Sequence, residues 1–149
     1  MSGFITNPKI ISELKALYQR NEGLLTPQTI VNAAKNKKSV LHRQFEWDDN
    51  EAANQYRLSQ ARELLQVTIE YIKDSKGNKK PMRVFASLKS DRLDGGYRTM
   101  VDLLGDKEYR AQLLQDAIEE LETFKRKYYE LKELVEIFDA IGKVKTKAA

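Results

Sequence analysis

Residues 107–141 read KEYRAQLLQDAIEELETFKRKYYELKELVEIFDAI. Within them Leu114, Ala117, Leu121, Phe124, Tyr128, Leu131, Val135 and Phe138 follow one another at steps of three and four. That spacing is the a/d pattern of a helix needing a long partner surface, from this chain or from a second copy. A bare stripe of this length is an aggregation hazard, because each large side chain contributes about 1.5–3 kcal/mol when buried. Leu113, Ile118, Leu134, Ile137 and Ile141 widen the face beyond a two-stranded seam. The stretch predicts one long helix in a coiled coil or bundle, making the protein a homodimer or larger. Orientation stays open: in a parallel pair Glu120 faces Lys125 favourably, but Lys127 faces Lys132. Gly105-Asp106 opens this helix, Gly142 closes it, and the Lys/Ala-rich tail beyond is expected to fray.

Upstream, start and stop signals mark shorter helices. Asn7-Pro8 and Thr26-Pro27 each pair a good N-cap with a proline that needs no intrahelical donor. Ile10, Ile11, Leu14, Leu17 and Tyr18 line one face of the first helix, and Gly23 stops it. Ile30, Val31, Ala33 and Ala34 fall in the second. A third begins at Asp48-Asp49, with Ala52, Ala53, Tyr56, Ala61, Leu64 and Leu65 as its buried stripe. The period then changes from helical to alternating. Val67, Ile69 and Tyr71 alternate with Thr68, Glu70 and Ile72, and Met82, Val84, Ala86 and Leu88 with Arg83, Phe85 and Ser87. A polar loop from Asp74 to Pro81 separates the runs, so a β-hairpin is expected at about 67–88. The fold class is therefore mainly α with one β-hairpin (α+β). Residues 1–105 form a helical domain carrying that hairpin, and residues 106–149 hold the long self-association helix with its frayed basic tail.

Charge suggests a partner. The chain carries +4 overall, with residues 1–46 and 66–99 each at +4 and the remaining blocks negative. Lys35, Lys37, Lys38 and Arg43 cluster after the second helix; Lys73, Lys76, Lys79 and Lys80 surround the hairpin tip, with Arg83 at its base. Such cations on a loop suit phosphate contact without base reading. Helices followed by a hairpin is also the element order of a winged helix. Against a simple groove-reading helix stands Trp47-Asp48-Asp49-Asn50-Glu51, whose carboxylates would repel phosphate. Tyr97-Arg98 after Gly95-Gly96 offers an aromatic-plus-cation platform, or a tyrosine packed over a turn. Trp47 beside Phe45 reads as an anchor closing the loop between helices.

No catalytic template fits. His42 is the only histidine and there is no cysteine, so neither a histidine-pair zinc site nor a disulfide can form. His42 reads as a helix-end cap or a packing residue. Gly95-Gly96 lacks the Gly-Lys-Ser/Thr ending of a phosphate loop. Asp48, Asp49 and Glu51 could ligate a cation, but capping explains the first two. We expect neither an enzyme nor a cofactor. No apolar run approaches the roughly 18–20 residues of a membrane span, and Lys9, Glu13, Lys15 and Arg20 interrupt any apolar leader. The expected location is the cytoplasm, with no membrane partner.

The stretch Leu25-Thr26-Pro27, Ser39-Val40-Leu41-His42, Phe45-Glu46-Trp47-Asp48-Asp49, Ala52-Ala53, Tyr56-Arg57-Leu58 and Gln60-Ala61-Arg62 resembles a pattern in small bacteriophage- and prophage-encoded proteins. The resemblance continues through Gly96-Tyr97-Arg98 into the C-terminal helix and covers most of the chain. It brings no catalytic residues. It implies a viral protein of the host cytoplasm that acts on the genome or on host machinery. Combined with the charge pattern, the expectation is a DNA-binding protein of limited sequence specificity that self-associates. Its contacts would be Lys35, Lys37, Lys38, Arg43, Lys73, Lys76, Lys79, Lys80, Arg83 and Arg98. The alternatives are an adaptor or inhibitor docking a host protein through the apolar helix, or a scaffold or virion component.

Overall fold

A computed structural model describes residues 3–47 and 51–148, excepting the side chains of residues 51 and 52. Asp48 and Asp49, expected to cap a helix and considered as cation ligands, lie outside the described residues. Two compact units divide the chain, Met1–Leu103 and Leu104–Ala149.

In the first unit the caps act as expected. The Asn7 side chain accepts from Lys9 N at 2.9 Å, Pro8 takes the first position, and helix α1 runs Pro8–Arg20. All five residues expected on its inner face are buried. Thr26 caps α2, Pro27–Ala34, by accepting from Thr29 N at 3.2 Å. Helix α3, Glu51–Val67, buries Ala53, Ala61, Leu64 and Leu65, while Tyr56 turns to solvent instead of joining them. The Thr68 hydroxyl donates to Leu64 O at 2.6 Å, closing the last turn of α3. These three helices, with Leu25, Leu41, Phe45, Val84, Phe85 and Tyr97, enclose one apolar core.

The hairpin is shorter than the sequence predicts. Strands β1, Ile69–Lys73, and β2, Lys79–Arg83, pair antiparallel around the loop Asp74–Asn78. Val67 belongs to α3, and the chain beyond Arg83 leaves this ladder. Val84, Phe85, Ala86 and Leu88 are all buried, so their alternation is not amphipathic. Instead β3, Phe85–Ala86, pairs antiparallel with β4, Arg98–Thr99. Single bridges add Ile5 beside Thr68 and Leu25 beside Tyr97. The architecture is thus mainly α-helical with two small antiparallel strand pairs.

After the short helix α4, Met100–Gly105, the expected 107–141 helix is interrupted. Helix α5 spans Lys107–Tyr128, and α6 spans Val135–Ala148, continuing through Gly142 and the tail expected to fray. Leu131, at φ −81° and ψ 93°, leaves the helical region between them. No proline or glycine breaks the helix; side-chain packing favours the break. Phe138 on α6 lies 6.4 Å from the Phe124 ring of α5 and stacks over Tyr129, also at 6.4 Å. Lys145 pairs with Glu122 at 3.8 Å. Later residues of α6 thus meet earlier residues of α5, an antiparallel helical hairpin. A continuous helix would forgo this burial of Phe138. Among the described residues, no helix is long and apolar enough to cross a membrane.

Within the first unit Tyr18 Oη donates to Asp102 Oδ2 at 2.6 Å. Burial first, and the Asp102 carboxylate second, raise the Tyr18 pKa above its ordinary 10.0. Folding thus favours the protonated phenol. That contribution is complete below pH 10.0 and is lost as pH rises through the higher folded pKa. Tyr18→Phe is expected to cost about 1 kcal/mol at neutral pH. It should also flatten the alkaline fall of the urea midpoint; an unchanged alkaline slope would assign that fall to another group.

Candidate nucleic-acid interface

The β1–β2 ribbon is built for exposure. Its register sets Ile69 opposite Arg83, Tyr71 opposite Pro81 and Lys73 opposite Lys79 on one face. Glu70 opposite Met82 and Ile72 opposite Lys80 form the other. The root is anchored: Ile69 is buried, its N–H donates to Ile5 O at 2.9 Å, and Val84 N–H donates to Thr68 O at 3.1 Å. Beyond the root Lys73, Lys76, Lys79 and Lys80 are exposed, as is Arg83 at the base.

Both acidic side chains of the ribbon are engaged. Asp74 Oδ1 accepts from the backbone N–H groups of Lys76 and Asn78, each at 2.9 Å, while Oδ2 lies 3.7 Å from Lys80 Nζ. Gly77 at φ 80° supplies the left-handed residue this five-residue loop requires. Glu70 accepts from Lys15 Nζ of α1 at 2.8 Å. Five cations thus share a surface whose two carboxylates already have partners.

The second basic group lies where α2 ends. Lys35, Lys37, Lys38 and Arg43 are exposed. Their position has a local cause, since cations are favoured at a helix C-terminus. Glu13 of α1 holds the loop beneath them, accepting from Ser39 Oγ and from Val40 N at 3.2 Å. His42 caps α2 as expected, with Nδ1–H donating to Ala34 O at 2.7 Å. Its ring stacks on Trp47 at 4.9 Å, and the Arg57 guanidinium lies 5.2 Å from the Trp47 ring centre. Trp47 is therefore an anchor, with the Phe45 ring also in contact at 5.8 Å.

Arg98 is placed differently from the other cations. Its Nε and Nη2 donate to the two oxygens of Asp91 at 2.8 and 3.0 Å, and Nη1 donates to Gly23 O at 3.2 Å. The paired side chains are only 17% and 11% exposed. This fork braces the Gly95–Gly96 turn and leaves little reach toward a phosphate. Gly96 leaves room there for the Leu24 side chain, which a Cβ at 2.5 Å from Leu24 Cδ1 would force to move. Tyr97 is packed, not presented, as the turn reading anticipates.

One residue of the candidate surface was hidden in the sequence. Alternation groups Tyr71 with half-buried Val67 and buried Ile69, yet its side chain is 60% exposed. The signal that could have found it is its surroundings: the strand pairs at a proline and is flanked by lysines. In the second unit, Leu114, Leu121, Leu131 and Val135 are between 40% and 52% exposed, and Phe124 and Ala117 also face solvent. Tyr128 is half-buried, while Phe138 is buried. Ile118 and Ile141, outside the a/d series, are buried too. The residues expected to form one seam are therefore divided between an internal contact and an exposed face.

Among the described residues no group of three or more acidic or histidine side chains gathers to hold a metal. No family model matches this chain, and no curated protein or solved structure shows significant similarity to it.

Proposed function

We propose that the protein binds nucleic acid through the β1–β2 ribbon, as a phage-type DNA-binding protein of limited sequence preference that self-associates through its C-terminal segment. The ribbon carries the reading: five exposed cations, with both neighbouring carboxylates satisfied inside the protein. Such a surface meets phosphates and releases their condensed counterions without reading base edges. The order α1, α2, α3, ribbon is compatible with a winged-helix arrangement in which the wing, not the acid-headed α3, makes contact. Binding, not catalysis, is the activity proposed, in the cytoplasm of a host cell.

The test is duplex affinity across a salt series. Five phosphate contacts predict a log–log slope of about −4.5. Absence of binding at low salt would remove the reading. Light scattering tests the second half: a dimer or larger species is expected, and a monomer at micromolar concentration would overturn self-association. The exposed leucines of α5 also favour a second reading, an adaptor that docks a host protein. A host protein retained after nuclease treatment, with no DNA binding, would favour it. Very large assemblies would point to a scaffold or virion component.

A further inference from the structure

We propose that the Tyr71 face of the ribbon selects single-stranded over duplex nucleic acid, with the Tyr71 ring stacking on an unpaired base. Lys73, Lys79 and Arg83 take the adjacent phosphates. The inference rests on the nucleic-acid reading above and names its substrate.

Three observations carry it. First, the register places Tyr71 on the same face as Lys73, Lys79 and Arg83, and opposite Pro81. An aromatic interleaved with cations is the pattern that binds stacked bases and their backbone together. Second, Tyr71 is 60% exposed while Ile69, two residues earlier on the same face, is buried. A ring of that size held in water gains most from an apolar or π-faced partner. Third, Tyr71 borders a cleft of about 470 Å³ between the start of α1 and β1, which Thr6, Ser12 and the Lys15–Glu70 pair also line. That volume falls in the range of about 300–1,000 Å³ typical of small-ligand sites. Hydroxyls on its wall can bond to a base edge.

Strand choice follows from the geometry of the bases. In a duplex their faces are covered by neighbours, and exposing one costs a few kcal/mol of unstacking. A single strand presents those faces without that cost. Tyr71 therefore adds affinity for a single strand and little for a duplex, whereas the lysines serve both.

The experiment compares intact wild-type protein with Tyr71→Ala and Tyr71→Phe by fluorescence anisotropy. The probes are a thymidine homopolymer and a duplex of equal length at one salt concentration. Wild type is expected to prefer the single strand. Tyr71→Ala should weaken single-strand binding by about 5- to 150-fold, leave duplex binding unchanged, and lose no helicity by circular dichroism. Tyr71→Phe should retain the preference. Equal or stronger duplex binding by wild type overturns the inference while leaving the nucleic-acid reading intact. So does a Tyr71→Ala variant that binds the single strand as well as wild type. If wild type binds neither probe, both readings fall.

Discussion

Replacing Phe85 with alanine is expected to destabilise the first unit by about 3–5 kcal/mol, the largest single-residue effect anticipated here. Phe85 is fully buried at the point where β3 meets the helices. Its ring meets Tyr18 of α1 edge-on at 6.3 Å, a geometry favoured by the aromatic quadrupoles. Alanine removes the transfer free energy of the ring and leaves a cavity that neighbours on three elements cannot fill without moving. A domain of this size has a total stability of about 5–15 kcal/mol, so one substitution could halve it. Urea denaturation followed by circular dichroism measures the shift. Leu93→Ala is the control: that side chain is 97% exposed and its loss should stay within about 0.5 kcal/mol. An unshifted midpoint for Phe85→Ala would mean that the ring is not packed as described.

The contrast between legible and illegible parts of this fold follows the range of the interactions. Asn7, Thr26 and the two prolines specify α1 and α2 because a cap acts over three residues and can be read in place. The inner face of α1 was legible for the same reason: helical period is a local property. The hairpin is located but overextended, because residues 84–88 continue the two-face pattern of a strand while Val84, Phe85, Ala86 and Leu88 are all buried. Their partner, Arg98–Thr99, lies beyond an intervening turn and gives no local signal. The C-terminal break had no marker either. Tyr129–Leu134 contains neither glycine nor proline, and the heptad spacing runs through it undisturbed. What favours the turn is the meeting of Phe138 with Phe124, a contact that exists only once the chain has folded back.

The candidate site divides along the same line. Lysines are legible as solvent-facing because burying an unpaired ammonium is costly, and the ribbon cations are all exposed. Arg98 looked equivalent by type, yet the Gly95–Gly96 turn brings Asp91 within reach of its fork. The partner of Glu70, Lys15 of α1, lies 55 residues earlier in the chain and has no local signal. The exposure of Tyr71 is not legible in the sequence, because alternation identifies a face without saying how far along the strand the core extends.

Changing Lys76, Lys79 and Lys80 together to glutamate is expected to lower nucleic-acid affinity by at least about 100-fold at low salt, through lost phosphate contacts and new repulsion. The salt slope should fall by about 2.7, at 0.9 per contact removed. Folding should be spared, and the reason is specific. The Asp74 carboxylate that shapes the loop accepts from backbone N–H groups, which survive the substitutions. Its ion pair with Lys80 is long, and the Lys80 end is exposed; surface pairs contribute about 0–1 kcal/mol. Circular dichroism should therefore match wild type, so a loss of binding would report on charge alone. The matched triple change at Lys35, Lys37 and Lys38 tests the competing surface. If that variant loses affinity while the ribbon variant keeps it, the contact lies at the end of α2. The ribbon would then be a solvated hairpin whose cations serve solubility, and Tyr71 would have no base to meet.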